Sequence, residues 1–234
     1  MSTITTVSRH PIAPSMVPAA PEEERGVMRG VSWNFYDRLT DAIGERSSIR
    51  VAFDGKDLEI MVVGPVHEGV GRLLDLFISL VAEALDLDFH QLGATTWKRE
   101  EAARGLESDV SYCFDPEKVA ICRSAHLRGL NDGAIFPIPD LMAEIDISPP
   151  KVDRDAIYSK LGPLEVWRFS GGAVSIEHLG TDGKYAAADA SRFLYVRPEE
   201  VTRWLRDADS TPRPAWMRAV REWACAELRA RPGL

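Results

Sequence analysis

Two acidic residues stand out for what they could do chemically. Asp109 begins an extended run (ESDVSYCF), and Glu144 lies in a second (DLMAEIDIS), 35 positions downstream. If the two runs are neighbouring strands, both carboxylates reach one sheet edge. Two carboxylates with a carbonyl and waters form a hard-oxygen site suited to magnesium or manganese. Metal bound in this way neutralises a phosphate and lowers the pKa of a coordinated water for in-line attack. With 36 acidic residues in the chain, spacing alone singles out no pair. Glu144 is distinguished by its setting. Leu141, Ala143, Ile145 and Ile147 take one side of the strand, and Met142, Glu144, Asp146 and Ser148 take the other. A carboxylate on a strand whose opposite face is apolar is partly buried, and a buried charge needs a partner or a metal.

The elements that must position this pair follow from periodicity. Ser32 is placed to cap a helix over 33–43 that Gly44 stops. Ile49, Val51 and Phe53, then Leu58, Ile60 and Val62, alternate about Asp54-Gly55 and predict a hairpin with a two-residue turn. After Gly64-Pro65, Val70, Leu73, Leu74, Phe77, Ile78, Val81, Ala84 and Leu85 repeat at helical spacing, with Glu68, Arg72, Asp75 and Ser79 on the other face. Extended pieces are expected at 89–92, 94–99, 109–114, 119–122 and 141–148. Beyond them come a short helix over 154–161, a hairpin around Ser170-Gly171-Gly172, and helices over 197–207 and 214–230. Strands interleaved with helices predict an α/β chain: a central mixed sheet flanked by helices, with an N-terminal hairpin and a C-terminal helix.

Composition bounds the rest. The 234 residues, 45% hydrophobic and 27% charged, suit one globular domain plus a tail. Residues 1–30, rich in Pro, Ala, Ser and Thr and then acidic, are expected to be a mobile tail, with a single domain over 31–234. The formal charge of -8 excludes bulk-charge coating of nucleic acid, so DNA contact requires a local basic patch or a metal. Three cysteines (Cys113, Cys122 and Cys225), with no CxxC pair, argue against a disulfide scaffold or a structural zinc site. No run is long and apolar enough to span a bilayer and the N-terminus lacks a signal-peptide core, so the expected location is cytoplasmic, away from membranes.

Several segments together resemble a known family. Val31-Ser32-Trp33, FDGKDLEIMVVGPVHEGVGRLL, LDFHQLGATTWKREEAARGLESDVSYCF, PDLMAEIDISPP and IYSKLGPLEVWRFSGG resemble, in order and spacing, the Uma-type restriction endonuclease domain family, a branch of the PD-(D/E)XK nuclease superfamily. The resemblance covers about residues 31–228. It implies a restriction-endonuclease-like core and a magnesium- or manganese-dependent phosphodiesterase acting on DNA. It also implies that Asp109 is the motif-two aspartate, Glu144 the glutamate of the E-x-K element and Glu68 the accessory acid on the first core helix. One position departs from the pattern: Asp146 stands where the superfamily has lysine. A third carboxylate there either helps to hold the metal or repels Glu144 and raises a pKa. The missing cation is then expected from Lys98 or from Arg154, at the start of the next helix. Lysine can relay a proton, whereas an arginine, always protonated, can only offset charge.

The same departure, together with the negative charge, favours a second reading: a catalytically degenerate relative serving as a binding or assembly module. His67 reads as a hydrogen-bonded structural histidine, and Tyr158 as a packing residue. Cys113 has no histidine base near it in sequence, which argues against a thiol nucleophile. Arg203, Arg206, Arg213, Arg218 and Arg221 could form a basic patch, or the last helix could pair two copies through Trp216 and Trp223, and a homodimer is the preferred expectation.

Overall fold

The computed structural model describes residues 23–44, 48–130 and 135–231. In chain order the elements are β1 (Glu23–Met28), α1 (Trp33–Ile43), β2 (Ile49–Phe53), β3 (Leu58–Val63), α2 (Pro65–Ala84), β4 (His90–Gln91), β5 (Thr95–Arg99), β6 (Arg104–Ser108), β7 (Val110–Cys113), α3 (Pro116–Leu127), β8 (Leu141–Asp146), α4 (Arg154–Leu161), β9 (Glu165–Ser170), β10 (Ala173–Leu179), β11 (Tyr185–Ala187), α5 (Pro198–Asp207) and α6 (Arg213–Trp223). The last helix continues through a π-helical turn, Ala224–Leu228.

The strands form two sheets, ordered β1-β3-β2-β6-β5 and β11-β10-β9-β8-β7-β4. The first is antiparallel throughout; in the second, β8 and β9 run parallel. Parallel neighbours need a crossover, and α4 supplies it. The chain is therefore mixed α/β, as the interleaved pattern predicts. One continuous stretch passes from the first sheet to the second, since β6 ends at Ser108 and β7 begins at Val110. Asp109 is the residue at this junction.

The main core lies between the second sheet and α2, α5 and α6. Leu74, Phe77, Ile78 and Val81 of α2 meet Leu141, Ala143 and Ile145 of β8, together with Trp167, Val201, Trp216 and Val220. A second cluster on the other face joins Met142 and Val166 to Ile157, Tyr158 and Leu161 of α4 and to Ala52, Trp97 and Leu106 of the first sheet. The alternation read along β8 is thus realised, with one side on α2 and the other on α4.

Four local expectations need correction. Residues 23–28 are not tail but an edge strand paired to β3, Glu23 opposite Val63 and Met28 opposite Leu58. The acidic composition misleads because alternate residues turn inward. The side chains of Arg25 and Glu23 are only 1% exposed, and each is met by opposite charge. Residues 1–22 of the expected tail lie outside the described residues. Residues 119–122 are helical rather than extended: Asp115 caps α3 through the N–H groups of Glu117 and Lys118 (3.0 and 3.1 Å), and Pro116 opens the first turn. Asp115→Ala is expected to cost about 1 kcal/mol, read as a lowered urea midpoint at unchanged slope. The hairpin between β2 and β3 turns through 54–57, with Asp54 accepting from the N–H groups of Lys56 and Asp57. Asx bonding replaces the tight turn expected there. In β3, Glu59, Met61 and Val63 form the more deeply buried side, while Val62 is 43% exposed.

One turn and two helices agree closely with the sequence. Gly171 and Gly172 both have positive φ (59° and 79°) between paired Ser170 and Ala173, as a two-residue hairpin turn requires. Ser32 accepts the N–H of Phe35 to cap α1, and α4 occupies the expected 154–161.

Candidate functional site

The register of β7 on β8 decides whether the two leading carboxylates meet. Val110 pairs with Ala143, and the Asp109 N–H donates to the Ala143 carbonyl (3.2 Å). Asp109 and Glu144 are therefore cross-strand neighbours, and the charge of Asp109 raises the pKa of Glu144. Asp109 Oδ2 accepts the Ile145 N–H (2.8 Å), while Oδ1 accepts from His67 Nε2 (2.8 Å) and Arg50 Nε (3.4 Å).

Glu144 lies deeper. It is 2% exposed on the α4 side of β8. The Tyr158 hydroxyl donates to its Oε1, and Arg154 Nη1 stands 3.9 Å from its Oε2. Burial, the largest influence, raises its pKa. The Arg154 charge opposes this, Asp109 and Asp146 add to it, and the net result is about 7. Arg154 is itself buried and donates to Glu59 (2.7 Å), and its Nε has no hydrogen-bond partner. The basic residue expected on this helix therefore does reach Glu144.

The remaining expected residues divide. Glu68, in the first turn of α2, accepts from Arg50 (3.1 Å) and lies 3.7 Å from Arg72. With Arg50, His67 and Asp109 it lines an open cavity of about 300 Å³. Glu144 is not among the lining residues. Asp146 accepts from Arg25 (3.0 Å). Burial, partly opposed by Arg154 and Arg25, holds its pKa above the ordinary aspartate value. Lys98 is placed elsewhere. Trp97 faces the junction, its Nε1 donating to Ser108 and Ser111 (3.2 and 3.3 Å), so Lys98 takes the opposite face of β5. There its ammonium binds Asp37 and Asp41 of α1 (2.7 and 2.9 Å).

Sequence reasoning missed the inner charges of the first sheet. Glu59 is fully buried and accepts from Arg25 (2.8 Å), Arg154 and the Lys151 N–H. Glu23 accepts from His67 Nδ1 (3.1 Å), Arg25 and the Ser148 N–H (2.7 Å). The usable signal was strand alternation in Glu23-x-Arg25, set beside a hairpin whose second strand carries a lone Glu59.

Together these contacts join seven carboxylates (Glu23, Glu59, Glu68, Glu107, Asp109, Glu144 and Asp146) to four guanidiniums (Arg25, Arg50, Arg72 and Arg154) and one imidazole. The negative charges outnumber the positive ones in a site largely shielded from water. Among the described residues no three metal-ligating side chains converge on one point. Magnesium needs fewer, since it commonly keeps several waters and takes one or two carboxylates. The donor set therefore fits a hard divalent cation in charge and chemistry.

Cys113 and Cys122 are buried free thiols, 3.9 Å apart. Burial pushes the Cys113 thiol well above its ordinary pKa, which leaves little thiolate for nucleophilic chemistry. Of the C-terminal residues expected to form a patch or an interface, Arg206 and Arg218 are exposed, and the others make contacts within the chain. Trp216 is fully buried and Trp223 stacks near Phe77. Arg203 lies over Trp204 and Trp223, Arg213 over Trp216, and Arg221 pairs with Glu83. No helix among the described residues is long and apolar enough to cross a membrane. No protein-family model and no curated protein matches the chain.

Proposed function

We propose that this chain is a metal-dependent DNA endonuclease of the restriction-endonuclease-like type, hydrolysing phosphodiester bonds with magnesium or manganese. The observation that carries the reading is the cross-strand pair of Asp109 and Glu144 within an excess of buried carboxylates. Burial, with Asp109 and Asp146 adding to it, raises the Glu144 pKa to about 7 even with Arg154 beside it. The resemblance of residues 31–228 to the Uma-type family points to the same two residues.

In this reading Asp109 and Glu144 hold the ion, and Glu68 contributes from the cavity side. The bound ion would supply Lewis-acid stabilisation of the phosphate and a water of lowered pKa. Arg154 stays protonated and offsets charge without acting as a base. Tyr158 fixes Glu144 by donating to Oε1. Asp146 is committed to Arg25 and stands outside the ligand set. DNA approaches at the cavity bordered by Arg50 and Arg72.

Cleavage of supercoiled plasmid in magnesium or manganese tests this. Activity is expected in the parent, and Asp109→Asn and Glu144→Gln are each expected to reduce it to background. Cleavage that survives both substitutions overturns the assignment.

One observation favours a second reading, a degenerate binding module. Where the superfamily lysine would stand, Asp146 is tied to Arg25, and both Asp109 oxygens already accept hydrogen bonds. A folded sample that takes up no manganese in calorimetric titration decides for the module.

A further inference from the structure

Asp109 is held by a chain of contacts that starts outside the region of family resemblance. Glu23 Oε1 accepts from His67 Nδ1 (3.1 Å), and His67 Nε2 donates to Asp109 Oδ1 (2.8 Å). The imidazole is 2% exposed, and both flanking carboxylates are nearly as enclosed. Glu23 is in turn fixed by the Ser148 N–H just past β8 and by Arg25 on its own strand. β1 is an edge strand of the first sheet, His67 lies in the first turn of α2, and Asp109 sits at the junction of the sheets. Asp109 Oδ1 thus meets His67 of α2 and, at 3.4 Å, Arg50 of β2, with Glu23 of β1 standing behind the ring.

We propose that Glu23 and His67 are positioning residues for Asp109, with Glu23 acting through His67. The inference rests on the reading of Asp109 as a metal ligand. Glu23 orients the ring so that Nε2 faces the aspartate. His67 then fixes one Asp109 oxygen while the Ile145 N–H fixes the other, which restricts the carboxylate to one rotamer. The arrangement parallels the outer-shell contacts that orient ligands in metal sites, whose loss commonly weakens affinity about 10–100-fold. Neither Glu23 nor His67 need touch substrate, and the role explains why charged residues of an acidic N-terminal segment are buried.

Manganese binding to the full chain, followed by calorimetry with the metal alone, tests the proposal. His67→Asn is expected to weaken binding about tenfold and Glu23→Gln a few-fold. Because Glu23 acts through the ring, Glu23→Gln should add nothing in the His67→Asn background. Glu23→Gln preserves side-chain volume and an acceptor for Ser148, so it carries the test alone if His67→Asn does not fold. Parent-like or tighter binding in the single variants, or fully additive losses, overturns the inference. Asp109→Asn separates the two levels. If it leaves manganese binding unchanged, the metal-site reading fails. If it abolishes binding while the Glu23 and His67 variants bind normally, only the positioning role fails.

Discussion

Glu59→Ala is expected to destabilise the fold by about 3–5 kcal/mol, the range for removing one partner of a buried ion pair. Glu59 is fully buried, and Arg25 and Arg154 direct guanidinium N–H groups at its Oε1 from 2.8 and 2.7 Å. Its Oε2 accepts the Lys151 N–H. Arg25 and Arg154 have side chains only 1% and 5% exposed, so neither can turn to water when the carboxylate is lost. Arg25 would keep Glu23 and Asp146, whereas Arg154 would keep only the looser approach to Glu144. Urea unfolding checks this. A loss below about 1 kcal/mol, the range of exposed pairs, would show that the arginines find other partners.

The second large effect has the opposite sign and depends on pH. Glu144 has an ordinary pKa of 4.5, raised in the fold to about 7. Between these values the folded chain binds a proton that the unfolded chain does not. Glu144 therefore contributes stability that is fully present below about 4.5 and lost as pH rises through about 7. The loss amounts to about 3 kcal/mol above the transition. Glu144→Gln keeps an acceptor for Tyr158 and removes the charge, so it should match the parent near pH 4.5 and exceed it by about that amount at pH 8. Urea titrations at the two pH values measure the difference. A stability gap that does not change with pH would rule the effect out. Added manganese should restore the parent's stability at pH 8, by about 2.7 kcal/mol at a hundredfold excess over Kd, and leave Glu144→Gln unaffected. The residue proposed to hold the ion thus weakens the fold while no ion is bound, a known cost of functional sites.

How much of this was legible depends on how each element is buried. α2 and β8 were readable because each packs an apolar face against a core, so period 3.6 and period 2 appear directly in the residues. The pairing of Asp109 with Glu144 followed from the resemblance together with β8's alternation, and Arg154 followed from the resemblance. β1 was opaque because its inward residues, Glu23 and Arg25, are charged, and β6 because its one buried large apolar residue, Leu106, stands between Gly105 and Glu107 with no second apolar residue to show alternation. Gly105 has a positional reason, since a Cβ there would lie 2.2 Å from the Tyr36 hydroxyl. Hydropathy cannot mark a strand whose inward face is satisfied by ion pairs, because each partner comes from a distant segment. Lys98 failed for a related reason. Its nearness in sequence to Asp109 said nothing about the face of β5 it occupies, and α1 supplies the acids that hold it.

The edge position of β1 bears on where the chain can be shortened. Composition suggests starting at Val31, but such a piece would lose the strand hydrogen-bonded along the whole of β3, from Leu58 to Val63. Its open backbone donors and acceptors would invite another molecule to add a strand in the same place. A shortened preparation would then be prone to sticking to itself, and silence in a cleavage assay would report the missing hem of the sheet rather than the chemistry of the whole chain.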